Sequence, residues 1–183
     1  MKTLLITLTL TFTSTFFHAQ TFEWAKAIGG TSYDYGQSIT TDNLGNIYVT
    51  GGFEDTMSLT INGSTVNFSS MGASDIFILK LNALGDVLWA KSMGGAEHDT
   101  PYSICTDNAQ NVYVTGGFRN TVDFDPNVGT TLLTSNGFDD IFVLKLNSTG
   151  DFLWAKSAGA NSNDIGESIC VDGSGNSYIT GRY

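Results

Sequence analysis

The chain has 183 residues, with 18 Asp and Glu against 8 Lys and Arg, a formal net charge of −10 and a pI near 4.2. So acidic a chain lacks the Lys/Arg-rich surface that nucleic acid binding requires. Gly is frequent, Pro is scarce, and β-branched and aromatic residues abound, which is a β-rich composition.

Residues 1–20 differ from the rest. Lys2 precedes an apolar, Thr-rich run from Leu4 to Phe17, and Ala19 is a small residue at the end of the segment. This pattern predicts a secretory signal peptide cleaved near Gln20, and hence a secreted or cell-surface protein. The apolar run is short and broken by threonines, which argues against a membrane anchor. No later stretch is long and apolar enough to cross a bilayer.

From residue 22 onward the chain repeats with a 65-residue period. Trp24-Ala25-Lys26 returns at Trp89 and at Trp154. About half of the positions in residues 24–88 are identical in 89–153, and residues 154–183 begin a third copy. Such self-similarity takes precedence over single motifs, because a residue present once per repeat is first a folding device.

In chain order, residues 22–27 predict one short strand, Ser38–Asp42 a second, and Asn46–Phe53 a third, with Asn43-Leu44-Gly45 as the turn between the last two. Residues 54–74 and their counterparts 119–139 are the most variable part of the repeat. They are long for a plain loop and so expected to be structured or functional, and Ser58–Ile61 and Thr130–Leu133 could form a small extra hairpin. Asp75–Asn82 and Val87–Lys91 predict two strands that are apolar on both faces and therefore buried on both. Four antiparallel strands per repeat, covered on both sides, describe an all-β fold of β-propeller blades.

The run Gly36–Gly51, the DIFILKLN segment at Asp75–Asn82 and the Trp-Ala-Lys strand resemble the SBBP-type β-propeller repeats of exported Bacteroidetes proteins. The segment Thr121–Asn127 is also similar to a stretch seen in that family. The resemblance spans residues 22–183. It implies an exported scaffold, sometimes carrying a type IX secretion signal elsewhere in the protein, and no shared active site. On this reading residues 21–183 are an incomplete propeller of about two and a half blades (24–88, 89–153 and a truncated 154–183). The remaining blades are then expected from further C-terminal sequence, and residues 22–27 could latch the closed ring.

The sequence offers few groups for chemistry. His18 lies in the predicted signal peptide, and His98 stands alone in a polar loop without a triad or zinc spacing around it. No catalytic and no cofactor-binding residue is assigned. Asp123, Asp125 and Asn127 place oxygen ligands at alternating positions and are the candidates for a metal, calcium being the cation they would suit. They lack the Gly and Glu of the helical calcium loop, and a turn set by Asp-Pro-Asn is the reading favoured for them. Asp42, Asp107 and Asp172, with Asn46, Asn111 and Asn176, recur at one turn and read as turn caps. Asp34, Asp99 and Asp164 recur before the first strand. Trp24, Trp89 and Trp154 read as packing residues, and Lys80 and Lys145 as snorkelling or paired ones. Cys105 and Cys170 occupy equivalent positions and read as free thiols.

The function expected is a non-catalytic structural or binding scaffold for a protein or glycan, with specificity in the variable stretches. Two rivals are the N-terminal part of a propeller enzyme and a calcium-stabilised adhesin.

Overall fold

A computed structural model describes residues 23–183. The expected signal peptide, residues 1–20, lies outside the described residues. The described part is all-β, with eleven strands and no helix. The strands are β1 (Gly29–Gly30), β2 (Asp34–Thr41), β3 (Ile47–Ile61), β4 (Ser64–Leu81), β5 (Val87–Met93), β6 (Thr100–Thr106), β7 (Val112–Asp123), β8 (Leu132–Leu146), β9 (Phe152–Ala158), β10 (Ile165–Val171) and β11 (Ser177–Arg182).

They form antiparallel meanders in chain order. Strands β1 to β5 make the first sheet, with β1 and β2 both paired to β3, β6 to β9 make the second, and β10 and β11 pair as a third. The first strands of the sheets lie side by side at the centre. Thr106 Oγ1 donates to Thr41 O (3.3 Å), and Ile169 N donates to Ser103 Oγ (3.2 Å). This is a partial propeller, as the repeat pattern predicts.

Strand β4 shows why the sheets stack. From Ser74 to Leu81 every residue is buried. Ile76 and Ile78 join Tyr48 in a cluster with Val112, Val114, Phe142 and Leu144 of the second sheet. Phe77, Leu79 and Leu81 point the other way, into a cluster with Phe53 and Met57. Burying each such side chain contributes roughly 1.5–3 kcal/mol, so an isolated sheet would leave most of its stabilisation unrealised. The second sheet repeats the pattern, with Tyr113 and Val143 packing on Ile169 of the third. Ile104 and Ile169 are 4% and 5% exposed, whereas Ile39, at the same repeat position, is 67% exposed, no sheet among the described residues packing against it.

Two sequence expectations are corrected. Residues 54–74 form no separate small hairpin. Strands β3 and β4 run on as one long hairpin to a two-residue turn at Asn62-Gly63, where φ is 50° and 78°. Asn-Gly with both φ positive is the strongest short hairpin signal, and it overrides the apparent variability of the stretch. In the second repeat the strands stop earlier, and residues 124–131 form the connection. Secondly, residues 23–28 are not a strand. The segment is held by side chains instead: Trp24 Nε1 donates to Ala83 O (3.1 Å) and Lys26 Nζ to Gly85 O (2.9 Å).

Candidate ligand groove between the first two sheets

The recurring polar residues serve the fold. The Asp42 carboxylate accepts from Leu44 N, Asn46 N, Asn46 Nδ2 and Tyr48 Oη, at 2.8–3.0 Å. Asp107 and Asp172 are engaged in the same way. Burial alone would raise the Asp42 and Asp107 carboxyls, but the hydrogen bonds from Asn46 and Asn111 and their neighbours outweigh it and hold both below the usual value. These carboxylates cap turns. Lys145 Nζ lies 3.8 Å from Asp107, and Lys80 donates to Ser148 O (3.2 Å) above the Tyr48 ring.

The metal candidates are occupied by their own loop. Asp123 Oδ1 accepts from Asp125 N (3.1 Å) and Thr131 N (2.8 Å). Asp125 Oδ1 accepts from Asn127 N (3.0 Å), and Asn127 Oδ1 accepts from Lys91 Nζ (2.6 Å). Among the described residues no three His, Cys, Asp or Glu side chains converge to hold a metal ion. Cys105 and Cys170 are free thiols.

The chemistry gathers elsewhere, at the edge where the central strands begin. The first residues of β2 and β6 carry a β-bulge each, between Gly36 and Ser38 and between Pro101 and Ser103. A bulge adds a residue to one strand and re-aims its side chain. The extra residues are Gln37 and Tyr102, and both line a groove of about 380 Å³ between the first and second sheets. A second bulge at Asp55, φ 57°, borders Glu54, whose carboxylate also lines it.

Tyr33 and Tyr35 complete one wall, their ring centroids 5.5 Å apart and tilted by 38°. Gly52 permits this arrangement, because a Cβ there would lie 2.5 Å from the Tyr35 ring. His98 and Thr100 form the wall contributed by the second sheet. At the floor, Ser74 is 4% exposed, and its Oγ has no hydrogen-bond partner. A buried hydroxyl left unsatisfied costs about 1–3 kcal/mol.

Asp99 lies behind the groove and is fully buried. Its carboxylate accepts from Gly95 N (2.6 Å) and Arg119 N (3.1 Å). Burial pushes its pKa up to about 7, against the lowering effect of these two bonds, and the nearby Asp75 and Asp139 push in the same direction as burial. Asp34 and Asp164 make the equivalent bond to the backbone N–H four residues earlier, each at 2.6 Å.

The same groove position recurs one sheet on. It is about 230 Å³ and is lined by His98, Thr100 and Tyr102 on one side and Ile165 on the other. There Arg119 replaces Glu54 and Asp139 replaces Ser74, and the two form an ion pair of 2.8 Å. The Arg119 guanidinium also sits 5.5 Å from the Phe138 ring centroid.

The SBBP family model, described as a beta-propeller repeat, matches residues 23–51 and 153–182. The repeats are of the SBBP β-propeller type. Among curated proteins, the chain is 30% identical over 156 residues to an uncharacterized WD repeat-containing protein, L264, of Acanthamoeba polyphaga mimivirus. It is 26% identical over 154 residues to the regulatory protein FlaEY of Caulobacter vibrioides. These matches take in 80% and 82% of the chain but 11% and 16% of the two relatives, so the chain spans a small part of their length. The internal 65-residue repeat accounts for the turn caps and the tryptophans, whereas Tyr33, Glu54, Ser74 and Tyr102 have counterparts that differ from repeat to repeat.

Sequence reasoning located specificity in residues 54–74 as a stretch. Only its two ends, Glu54 and Ser74, reach the groove, and the remainder comes from residues 33–37 and 98–102. The signal that points to them is the departure from the repeat itself: Tyr33, His98 and Asn163 occupy one position with three chemistries.

Proposed function

We propose that the chain is a non-catalytic β-propeller scaffold, exported to the cell surface or secreted, that binds a protein or glycan through the groove between its first two sheets. The observation that carries this reading is the convergence of side chains that vary between repeats, three of them tyrosines, on one cavity. Residues kept by the repeat maintain the sheets, while residues that break it surround one cavity. Concave sites with an aromatic lining and a few polar groups are the usual form of a binding site. The relatives bear the names of a WD-repeat protein and a regulatory protein, which agrees with a scaffold.

The test is binding of the full chain to arrays of glycans and of extracellular proteins, repeated with Tyr35→Ala and Tyr102→Ala. A ligand bound by the wild type and lost by both variants is the expected result. A ligand retained by both moves the binding surface elsewhere, and chemical turnover of the bound ligand removes the non-catalytic reading. Protease accessibility on intact cells tests the location.

A further inference from the structure

The second groove shows what the first is shaped to receive. Both grooves are built by the same strands, with the same bulges, 65 residues apart. In the second, the protein supplies a guanidinium of its own: Arg119 lies between the Phe138 ring and the Asp139 carboxylate. In the first, position 119 is matched by Glu54 and position 139 by Ser74. The cation is gone, a carboxylate stands in its place, and the cavity is larger, about 380 Å³ against about 230 Å³.

We propose that the first groove binds a cationic side chain, an arginine or lysine presented by a partner polypeptide. Glu54 supplies the charge-assisted hydrogen bond. The rings of Tyr33, Tyr35 and Tyr102 line the groove, and aromatic rings attract a cation placed against their faces. No Lys or Arg lines this groove, and His98 is its one basic side chain. The formal net charge of −10 favours the approach of a cation. The proposal rests on the reading of the groove as a binding site and names the chemistry of its ligand.

The experiment is an NMR titration of the full chain, with labelled tyrosine rings, using Nα-acetyl-arginine methylamide. Its neutral isostere Nα-acetyl-citrulline methylamide and the neutral glycan maltohexaose serve as comparators. The arginine compound is expected to shift the Tyr33, Tyr35 and Tyr102 ring signals, and citrulline to bind about tenfold more weakly. Glu54→Gln, a half-buried and near-isosteric change, is expected to cost a similar factor with the melting curve unaltered. The double variant Glu54→Arg/Ser74→Asp copies the second groove and is expected to abolish binding. Equal binding of arginine and citrulline, or an unaffected Glu54→Gln, overturns the proposal. Shifts of the same rings by maltohexaose alone overturn it too, but leave the groove standing as a glycan site. Silence from all three probes overturns the proposal, while the array experiment still decides whether the groove binds anything.

Discussion

Trp89 and Ser148 join neighbouring sheets: the indole Nε1 of one donates to the main-chain oxygen of the other at 3.1 Å. The same link, at the same 59-residue separation, connects Trp24 to Ala83. In each case a turn glycine lies under the ring. A Cβ on Gly150 would come within 3.1 Å of Trp89, and one on Gly85 within 3.0 Å of Trp24, with φ at +80° and +83°. The indole also meets Tyr48 edge-on, at 6.1 Å between centroids.

This link predicts a graded stability loss. Trp89→Phe keeps most of the packing and loses the hydrogen bond, at about 1 kcal/mol. Trp89→Ala loses both, at about 3–5 kcal/mol. Gly150→Ala combines a positive φ with the steric contact and is expected to cost more than 1 kcal/mol, that being roughly the conformational penalty alone. Urea denaturation of the three variants measures the order.

Asp99 predicts a fall in stability as pH rises. Its pKa is about 7 in the fold against 3.8 for the free side chain. The native state therefore binds the proton more tightly than the unfolded chain. The resulting stabilisation is complete below pH 3.8 and is lost as pH rises through about 7. Asp42 and Asp107 act oppositely: their lowered values stabilise the fold above 3.8, and that contribution is lost at lower pH. On these three groups alone, stability should peak near pH 3.8 and decline from there toward about pH 7. Asp99→Asn should flatten the neutral side of the profile, and an unchanged slope in that variant would assign the titration to another group.

Calcium should leave the melting temperature unmoved. Asp123 and Asp125 already accept backbone N–H groups of their own loop. Melts in calcium and in chelator are expected to coincide within about 1 °C, since a ligand stabilises only what it binds. Asp123→Ala should destabilise by about 1–2 kcal/mol in both solutions, because it frees two loop N–H groups. A calcium-dependent rise that Asp123→Ala removes would restore the metal reading.

The two thiols should differ in reactivity. Cys170 is exposed and Cys105 half-buried. Burial, with smaller effects of Cys170 and Asp107, pushes Cys105 up to about 11. At pH 8 iodoacetamide should alkylate Cys170 at least about tenfold faster, since the thiolate is the nucleophile. Peptide mass spectrometry reads the two rates, and comparable rates would contradict the burial of Cys105.

The architecture was legible in the sequence because it is repetitive. The apolar alternation of Asp75–Asn82 shows a strand covered on both faces, and the recurring Asp-Asn turns show the hairpins. The long hairpin was less legible. Met57, Leu59 and Ile61 alternate with exposed Ser58 and Thr60 as in a half-buried strand, and Asn62-Gly63 marks the tip, but nothing in the pattern shows that these strands continue Asn46–Phe53 and Asp75–Asn82. The groove was the least legible part. Its walls come from positions separated by one full repeat, so only the stacking of two sheets brings Tyr35 near Tyr102. The inner bulges that turn Gln37 and Tyr102 toward it leave no compositional mark, Gly36 and Pro101 aside.

The direction of the tryptophan link also has a bearing on synthesis. The acceptor of Trp24 lies 59 residues downstream, and so does that of Trp89. As the chain leaves the ribosome, each indole therefore emerges well before the turn that will hold it. The first sheet is therefore fastened through Trp89 only once the β8–β9 turn of the second has formed, whereas Trp24 waits only for the β4–β5 turn of the first.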